Sequence, residues 1–74
     1  MDSKKAIQNE IDDAIFNFTL GENARAKEQL TQLLSEHPNE KEVFHALAEI
    51  LWSEKDFQSA LEVAEKAYAL DDKD

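Results

Sequence analysis

The sequence predicts an all-α fold made of two antiparallel helix-turn-helix hairpins. Apolar residues recur along most of the chain with the helical period of about 3.6 residues, which places them on one face of a helix. Only one Gly and one Pro interrupt the 74 residues, so long helices joined by short turns are expected. The pattern of the first half also returns in the second half. Because a chain of this length holds one small core, residues 1–74 are expected to form a single domain.

The first hairpin is predicted from two apolar stripes separated by Gly21. The leading helix is expected to have Ser3 as its N-cap and to stop at Gly21. Its stripe consists of Ile7, Ile11, Ala14, Ile15 and Phe18. The second helix is expected to begin at an Asn23 cap and to end within "SEHP", because Pro38 disfavours helical backbone in the preceding residue. Its stripe consists of Ala26, Leu30, Leu33 and Leu34.

The second hairpin follows the same plan. Asn39 is the predicted cap of the third helix, and Glu42 stands three residues later in the capping-box position. The stripe of this helix consists of Phe44, Leu47, Ala48 and Leu51. Asp56 is the predicted cap of the fourth helix. That helix carries an unusually Ala-rich stripe of Phe57, Ala60, Leu61, Ala64, Ala67 and Tyr68.

The two hairpins have related sequences. The trailing helices match at an offset of 34 residues, which pairs Ala26 with Ala60, Leu30 with Ala64, and Leu33 with Ala67. The leading helices match better at 33, which pairs Ile11 with Phe44, Ala14 with Leu47, Ile15 with Ala48, and Phe18 with Leu51. A turn shorter by one residue in the first hairpin would reconcile the two offsets. A helix pair repeated at this spacing is typical of a stacked solenoid.

On these residues the chain resembles the tetratricopeptide repeat family. The pattern is clearest over residues 41–72, where Phe44, Leu47, Ala48 and Leu51 are followed by Ala60, Ala64 and Ala67. The resemblance implies a short right-handed solenoid, with repeat 1 at about 5–38 and repeat 2 at about 39–72. It also implies that the Ala residues of the last helix lie where helices cross closely. The first repeat matches less well, and it lacks the large aromatic residue at the head of its first helix.

Composition and charge narrow the classes of partner. The formal net charge of −9 repels phosphate backbones and anionic lipid surfaces, so nucleic acid and membranes are not expected as partners. Basic or apolar protein surfaces are expected instead. The chain has no cysteine, and its first residues contain neither a secretion signal nor an apolar span, so a cytoplasmic location is expected.

The resemblance implies a partner-binding groove lined by the first helix of each pair. That face maps onto Asn9, Asp12, Asp13, Phe16, Thr19 and Leu20 in repeat 1, and onto Glu42, His45, Ala46, Glu49 and Trp52 in repeat 2. The residues predicted to bind a peptide or partner protein are Asp12, Phe16, His45, Glu49 and Trp52. The aromatic rings would serve as anchors, and the carboxylates would attract Lys or Arg. The alternative is that Phe16 and Trp52 belong to the core and that the carboxylates form a solvated helix face.

A second candidate surface lies on the last helix. Repeat solenoids normally end in an extra polar-faced helix, and without one the stripe of Leu61, Ala64 and Tyr68 would be uncovered, together with Ile50. Such a stripe favours docking on another copy or on another protein. A structural homo-oligomer is therefore the alternative function.

Catalytic chemistry is not expected from this sequence. The serines have no His and acid at a spacing suited to activation, and no Gly-rich loop is present to hold phosphate. Glu42 and His45 have the Glu-x-x-His spacing of two-metal helical bundles, which provides a weaker alternative that needs a second copy of the chain. We predict no enzyme activity, no cofactor and no metal.

Overall fold

The computed structural model describes residues 3–71, and the side chains of residues 5–70, as an all-α fold. Four helices form this part of the chain: α1 (Ser3–Thr19), α2 (Asn23–Glu36), α3 (Lys41–Ser53) and α4 (Phe57–Asp71). The prediction of four helices is confirmed. Helix α1 begins at Ser3, and the predicted side-chain cap there lies outside the described side chains. None of these helices is both long and apolar enough to cross a membrane.

Helix α3 is the centre of the packing. Helix α1 packs on α2, and α4 packs on α3, so each pair joined by a short turn forms a hairpin. Helix α3 also contacts both α1 and α2, which joins the second hairpin to the first. Among the described residues, α4 contacts α3 alone.

The core lies where α3 meets the first hairpin. Its buried members come from three helices: Ile7, Ile11, Ala14, Ala26, Leu30, Leu33, Val43, Ala46 and Ile50. Leu30 and Val43 are completely buried. Burial of a Leu or Val side chain typically contributes about 1.5–3 kcal/mol, so these residues dominate the stability of this small domain. The predicted stripes of α1 and α2 are confirmed, although Ile15, Phe18 and Leu34 are only partly buried.

Helix α3 buries a face that the sequence prediction missed. Val43, Ala46 and Ile50 pack into the core, whereas three residues of the predicted stripe, Phe44, Leu47 and Ala48, are half-buried. Two predictions on this helix are therefore wrong. Ile50 is 1% exposed rather than uncovered, and Ala46 is 5% exposed rather than part of a partner-binding face. The physical reason is that α3 is packed between α4 on one side and the first hairpin on the other.

Of the three predicted N-caps that lie among the described side chains, only that of α4 is confirmed. The Ser59 backbone N–H donates to Asp56 Oδ1 at 3.5 Å, a long contact in the N-cap geometry. Asn23 is the first helical residue of α2, preceded by Glu22 at the N-cap, and its amide donates to Glu54 instead. Helix α3 begins at Lys41, and its N-cap is Glu40 without a side-chain hydrogen bond. The predicted Asn23 and Asn39 caps are thus wrong.

The turns within the two hairpins have the same backbone structure, 34 residues apart. Gly21 and Lys55 both have positive φ angles, 86° and 66°. The Glu22 N–H donates to the Asn17 carbonyl, and the Asp56 N–H donates to the Leu51 carbonyl. Both hydrogen bonds span five residues and close the C-terminus of the preceding helix. The turns occupy residues 20–22 and 54–56, so the predicted difference in their length is wrong.

Candidate functional site

An open groove lies between α3 and α4 on the surface of the second hairpin. It has a cavity volume of about 310 Å³ and a mainly apolar lining. The lining residues are His45, Ala48, Glu49, Trp52, Ala60, Leu61 and Ala64. We call this the α3–α4 groove. Its floor is shallow because the residues that α4 contributes are mostly Ala, which have no side chain beyond Cβ.

This groove joins two surfaces that were predicted separately from the sequence. His45, Glu49 and Trp52 were assigned to a partner-binding face, and Leu61 and Ala64 to an oligomer interface, yet all five line one groove. The third residue of the predicted oligomer stripe, Tyr68, is 74% exposed and lies one turn beyond Ala64 on α4. Ala60 and Ala67 are buried, whereas Ala64 is exposed.

Trp52, which lines the groove, forms an aromatic pair with Phe57, which lies outside the groove lining. The rings of Trp52 and Phe57 have centroids 4.8 Å apart and meet edge to face at 68°. The short turn of residues 54–56 brings them together from the end of α3 and the start of α4. Contact with Phe57 restricts the Trp52 ring, yet both side chains remain at least half-exposed. An ordered, solvent-facing aromatic surface of this kind suits recognition, because little side-chain freedom is lost on binding.

The aromatic residues of the predicted binding face are not core residues. Trp52 is 63% exposed and Phe16 is 60% exposed, so the alternative that placed them in the core is wrong. Asp12 is also exposed, and its carboxylate accepts a hydrogen bond of 3.0 Å from Gln8 Nε2. Asp12 and Phe16 lie on α1, and neither lines the α3–α4 groove. The five predicted binding residues therefore do not form one pocket.

A chain of polar side chains joins α1 to α2. Asn17 Nδ2 donates to Gln29 Oε1 at 2.7 Å, and Gln29 Nε2 donates to Asp13 Oδ2 at 2.8 Å. Asp13 had been assigned to the partner-binding face, but its carboxylate is directed to α2 instead. The chain holds the two helices in one relative position along their axes, because each hydrogen bond restricts both distance and angle.

Charged groups link the two hairpins beside their turns. Lys27 Nζ lies 2.7 Å from Glu54 Oε1, and Asn23 Nδ2 donates to Glu54 Oε2 at 3.3 Å. The hydrogen bond from Lys27, together with that from Asn23, lowers the pKa of the Glu54 carboxyl. The position of Glu54 next to α2 brings the two turns side by side.

Two groove residues, Ala48 and Ala60, were not assigned to a site from the sequence, and neither was Phe57, which contacts Trp52 beside the groove. The available signal was the spacing of Trp52 and Phe57 across a turn of three residues, which brings the ends of successive helices together. The sequence places Ala48 and Ala60 in the apolar stripes of α3 and α4. Ala60 is buried and still forms part of the groove floor.

The two-metal alternative still needs a second copy of the chain. Glu42 and His45 are both exposed, so within one chain they are not directed into a bundle interior as ligands of that type are. Within the described part of the chain, no group of three or more His, Asp or Glu side chains is placed to hold a metal ion.

Comparison of the chain with protein-family models, with curated proteins and with solved structures finds no match. The resemblance to tetratricopeptide repeats therefore depends on the residue pattern and on the 34-residue correspondence between the two turns.

Proposed function

We propose that this chain is a non-catalytic protein-interaction module of the tetratricopeptide type, which binds a segment of a partner protein. The observation that carries the proposal is the α3–α4 groove, where an exposed Trp lies beside an open apolar surface. Trp52 is the main anchor, and Leu61 and Ala64 provide the apolar contact. His45 and Glu49 contribute the polar contacts on the α3 side.

The exposure of large apolar side chains supports an interaction function. Trp52, Phe57, Leu61 and Tyr68 are each at least half-exposed on the second hairpin. Single exposed apolar residues are common on protein surfaces, but neighbouring ones that include Trp and Tyr are enriched at protein interfaces. Their removal from water on binding supplies the main favourable free energy.

The net charge determines which partners suit the groove. With a net charge of −9 the chain attracts basic segments, and at physiological salt this attraction is screened over a length of about 8 Å. Glu49 places one carboxylate directly in the groove lining. Electrostatic attraction of this kind mainly increases the association rate and excludes acidic partners.

The proposal is tested by selecting ligands from an unbiased display library of random peptides with the wild-type chain. The selected peptides are then measured against Trp52→Ala, with Thr31→Ala as the control. Thr31 is exposed on α2, belongs to no predicted binding face and does not line the groove. We expect Trp52→Ala to weaken binding at least about tenfold, the effect of losing an interface anchor, and Thr31→Ala to have little effect. Equal binding by wild type and Trp52→Ala, with both folded by circular dichroism, would rule out the groove as the binding surface.

A homo-oligomer is the second candidate function, favoured by the exposed stripe on α4. Leu61, Ala64 and Tyr68 lie at positions i, i+3 and i+7, so a second copy could pack along them. The test is the mass in solution by light scattering across a dilution series, for wild type and Tyr68→Glu. A dimer that Tyr68→Glu converts to a monomer would support this function. A wild-type chain that stays monomeric, or a dimer that Tyr68→Glu leaves intact, would exclude the stripe as an oligomer interface.

A further inference from the structure

The two hairpins can be compared position by position because their turns correspond at an offset of 34 residues. Gly21 and Lys55 both have positive φ angles, and the backbone hydrogen bonds around them match donor for donor and acceptor for acceptor. The first hairpin is covered by α3, whereas the second hairpin has no described helix in the equivalent place. The contacts of α3 with the first hairpin therefore indicate what kind of element would fit on the second hairpin.

The α3–α4 groove occupies the position that α3 fills on the first hairpin. The residues of the first hairpin that correspond to the groove lining, 34 positions earlier in the sequence, are Ile11, Ala14, Ile15, Phe18, Ala26, Lys27 and Leu30. All of these except Lys27 are core residues or pack against the core. The core residues that α3 adds to this set are Val43, Ala46 and Ile50. The groove is thus a helix-sized site whose counterpart in the same chain is filled by a helix.

Residues of the first hairpin that α3 covers are mostly more buried than their counterparts 34 residues later, as expected for an unfilled site on the second hairpin. Leu30 is completely buried, but its counterpart Ala64 is exposed. Ile11 is 4% exposed, and its counterpart His45 is exposed. Ala26 and Ala60 are both buried, because each lies at the bottom of the contact between the two helices of its own hairpin.

On the first hairpin, polar side chains of α2 bind the end of α3, whereas the corresponding positions of α4 on the second hairpin are apolar. Asn23 and Lys27 hold Glu54 at the end of α3. Their counterparts 34 residues later are Phe57 and Leu61, which cannot pair with a carboxylate. An occupant of the groove is therefore favoured when it carries an apolar residue where α3 carries Glu54.

The carboxylates beside the groove favour an occupant with positive charge. Glu49 lines the groove, Glu42 lies on the same exposed face of α3 as His45, and Glu65 lies one turn after Leu61 on α4. A basic helix complements these carboxylates. A second copy of the chain would instead bring another net charge of −9.

We propose that the α3–α4 groove binds a basic amphipathic helix of a partner protein, in the place where a fifth helix would continue the stack. The helix carries apolar residues at i, i+3 and i+7, as α3 does with Val43, Ala46 and Ile50, with a small residue at i+3. It carries a further apolar residue at i+11, the position of Glu54. This inference rests on the proposed function and specifies the shape, spacing and charge of the ligand.

The test uses a designed 14-residue peptide based on residues 41–54. It keeps Val, Ala and Ile at the positions of Val43, Ala46 and Ile50, has Leu at the position of Glu54, and has only Ala and Lys elsewhere. An acidic twin has Glu in place of every Lys, and a scrambled twin has the basic composition without the apolar spacing. Trp52 is the only Trp in the chain, so its emission reports occupation of the groove.

We expect the basic peptide to shift the Trp52 emission to shorter wavelength and to bind at least about tenfold more tightly than either twin. Ala64→Arg should abolish the shift by placing charge and bulk in the groove. Ala69→Arg is the matched control, because it makes the same charge change at another exposed Ala of α4 outside the groove lining. Binding to Ala69→Arg should stay within about twofold of wild type, as expected for a surface change outside the interface.

Three results would overturn the inference. One is that neither the basic peptide nor its twins perturb Trp52; another is that the acidic or scrambled twin binds as tightly as the basic peptide. The third is a wild-type dimer that Ala64→Arg dissociates, since a second copy would then occupy the groove. If the random library yields Trp52-dependent ligands without this spacing or charge, the proposed function stands and the inference is wrong. If it yields no such ligands and the basic peptide also fails, both are wrong.

Discussion

The Lys27 ammonium lies 2.7 Å from the Glu54 carboxylate and connects the N-terminal part of α2 to the C-cap residue of α3. This ion pair joins two helices that belong to different hairpins. The hydrogen bond from Lys27 keeps the pKa of Glu54 below the ordinary glutamate value. Because Glu54 is exposed, solvent screens the pair, and its contribution to stability is small.

The first prediction concerns the pH dependence of stability. A carboxyl group whose pKa is lower in the folded state stabilises the fold above its unfolded pKa, and this contribution is lost as the pH falls through the folded pKa. We therefore expect Glu54→Gln to lower the urea midpoint at neutral pH and to have no effect below the folded pKa of Glu54. The measurement is urea unfolding of both proteins at a series of pH values.

Glu28→Gln provides the charge-matched control, at an exposed position of α2. It accounts for the general effect of removing one of the 17 acidic residues. If the difference between Glu54→Gln and Glu28→Gln is the same at neutral and acidic pH, the Lys27 pair contributes nothing through ionisation.

The second prediction uses the two left-handed turn residues. Lys55 has a φ of 66°, a conformation that costs a non-Gly residue about 1–2 kcal/mol. Lys55→Gly removes this strain, but it also increases the freedom of the unfolded chain, so we expect a net stabilisation of about 0.5–1 kcal/mol. Thermal and urea unfolding measure the change.

Gly21 offers the reverse experiment at the corresponding position. A Cβ atom placed there meets nothing within 4 Å, so Gly21→Ala tests backbone conformation without a steric clash. We expect it to destabilise the fold by about 1 kcal/mol. Equal stability of Gly21→Ala and wild type would show that the turn can change conformation freely.

The third prediction concerns the Trp52–Phe57 pair. Edge-to-face aromatic contacts contribute about 0.5–1.5 kcal/mol, and the half-exposed rings favour the lower end of that range. A double-mutant cycle of Trp52→Ala and Phe57→Ala should therefore give a coupling free energy of about 0.5 kcal/mol by urea unfolding. Phe57→Ala alone should change the emission of Trp52. Additive effects of the two substitutions would show that the rings do not interact in solution.

The fourth prediction compares two Leu residues on different surfaces. Leu30 is completely buried at the junction of three helices, so Leu30→Ala should cost about 2–5 kcal/mol. A single core of this size rarely supplies more than about 3–5 kcal/mol, so this variant should be largely unfolded at 37 °C. Leu61 is 59% exposed, and Leu61→Ala should change stability by less than about 0.5 kcal/mol. Circular dichroism melting curves distinguish the two.

The sequence was sufficient to predict the four helices and their order. Each helix has its own stripe of apolar residues at helical spacing, and the stripes are interrupted at the turns between the helices. The sequence also predicted the Gly21 turn, since left-handed backbone favours Gly. The corresponding turn at Lys55 has no such residue. There the conformation is set by the closure of α3, whose end accepts the Asp56 N–H at the Leu51 carbonyl.

The second buried face of α3 could not be selected by periodicity. Apolar residues occur as neighbouring pairs at 43–44, 46–47 and 50–51, so two stripes of equal spacing run along the helix. Which stripe is more deeply buried depends on how the first hairpin packs against α3, a contact between distant parts of the chain. The Asn23 cap was wrong for a related reason. The Asn23 amide donates its hydrogen bond to Glu54, which lies 31 residues away in the sequence.

The sequence predicted several residues of the candidate binding site, but it did not predict which of them lie together. Trp52, His45 and Glu49 were chosen for their types and their positions on one helix, and the structure places them together with Leu61 and Ala64. Assignment of α1 residues to the same surface came from the family resemblance alone. Groove formation depends on the small side chains of α4, whose exposure follows from tertiary packing.

In the described part of the chain, α4 is attached through α3 alone, and this has a consequence for hydrogen exchange. Helix α4 can detach without disturbing the contacts between α1, α2 and α3, so its amides should exchange through local opening while those around Leu30 need global unfolding. A ligand in the groove would contact both α3 and α4. Its binding should therefore slow exchange most in the last helix, which makes that helix the most sensitive reporter of occupancy.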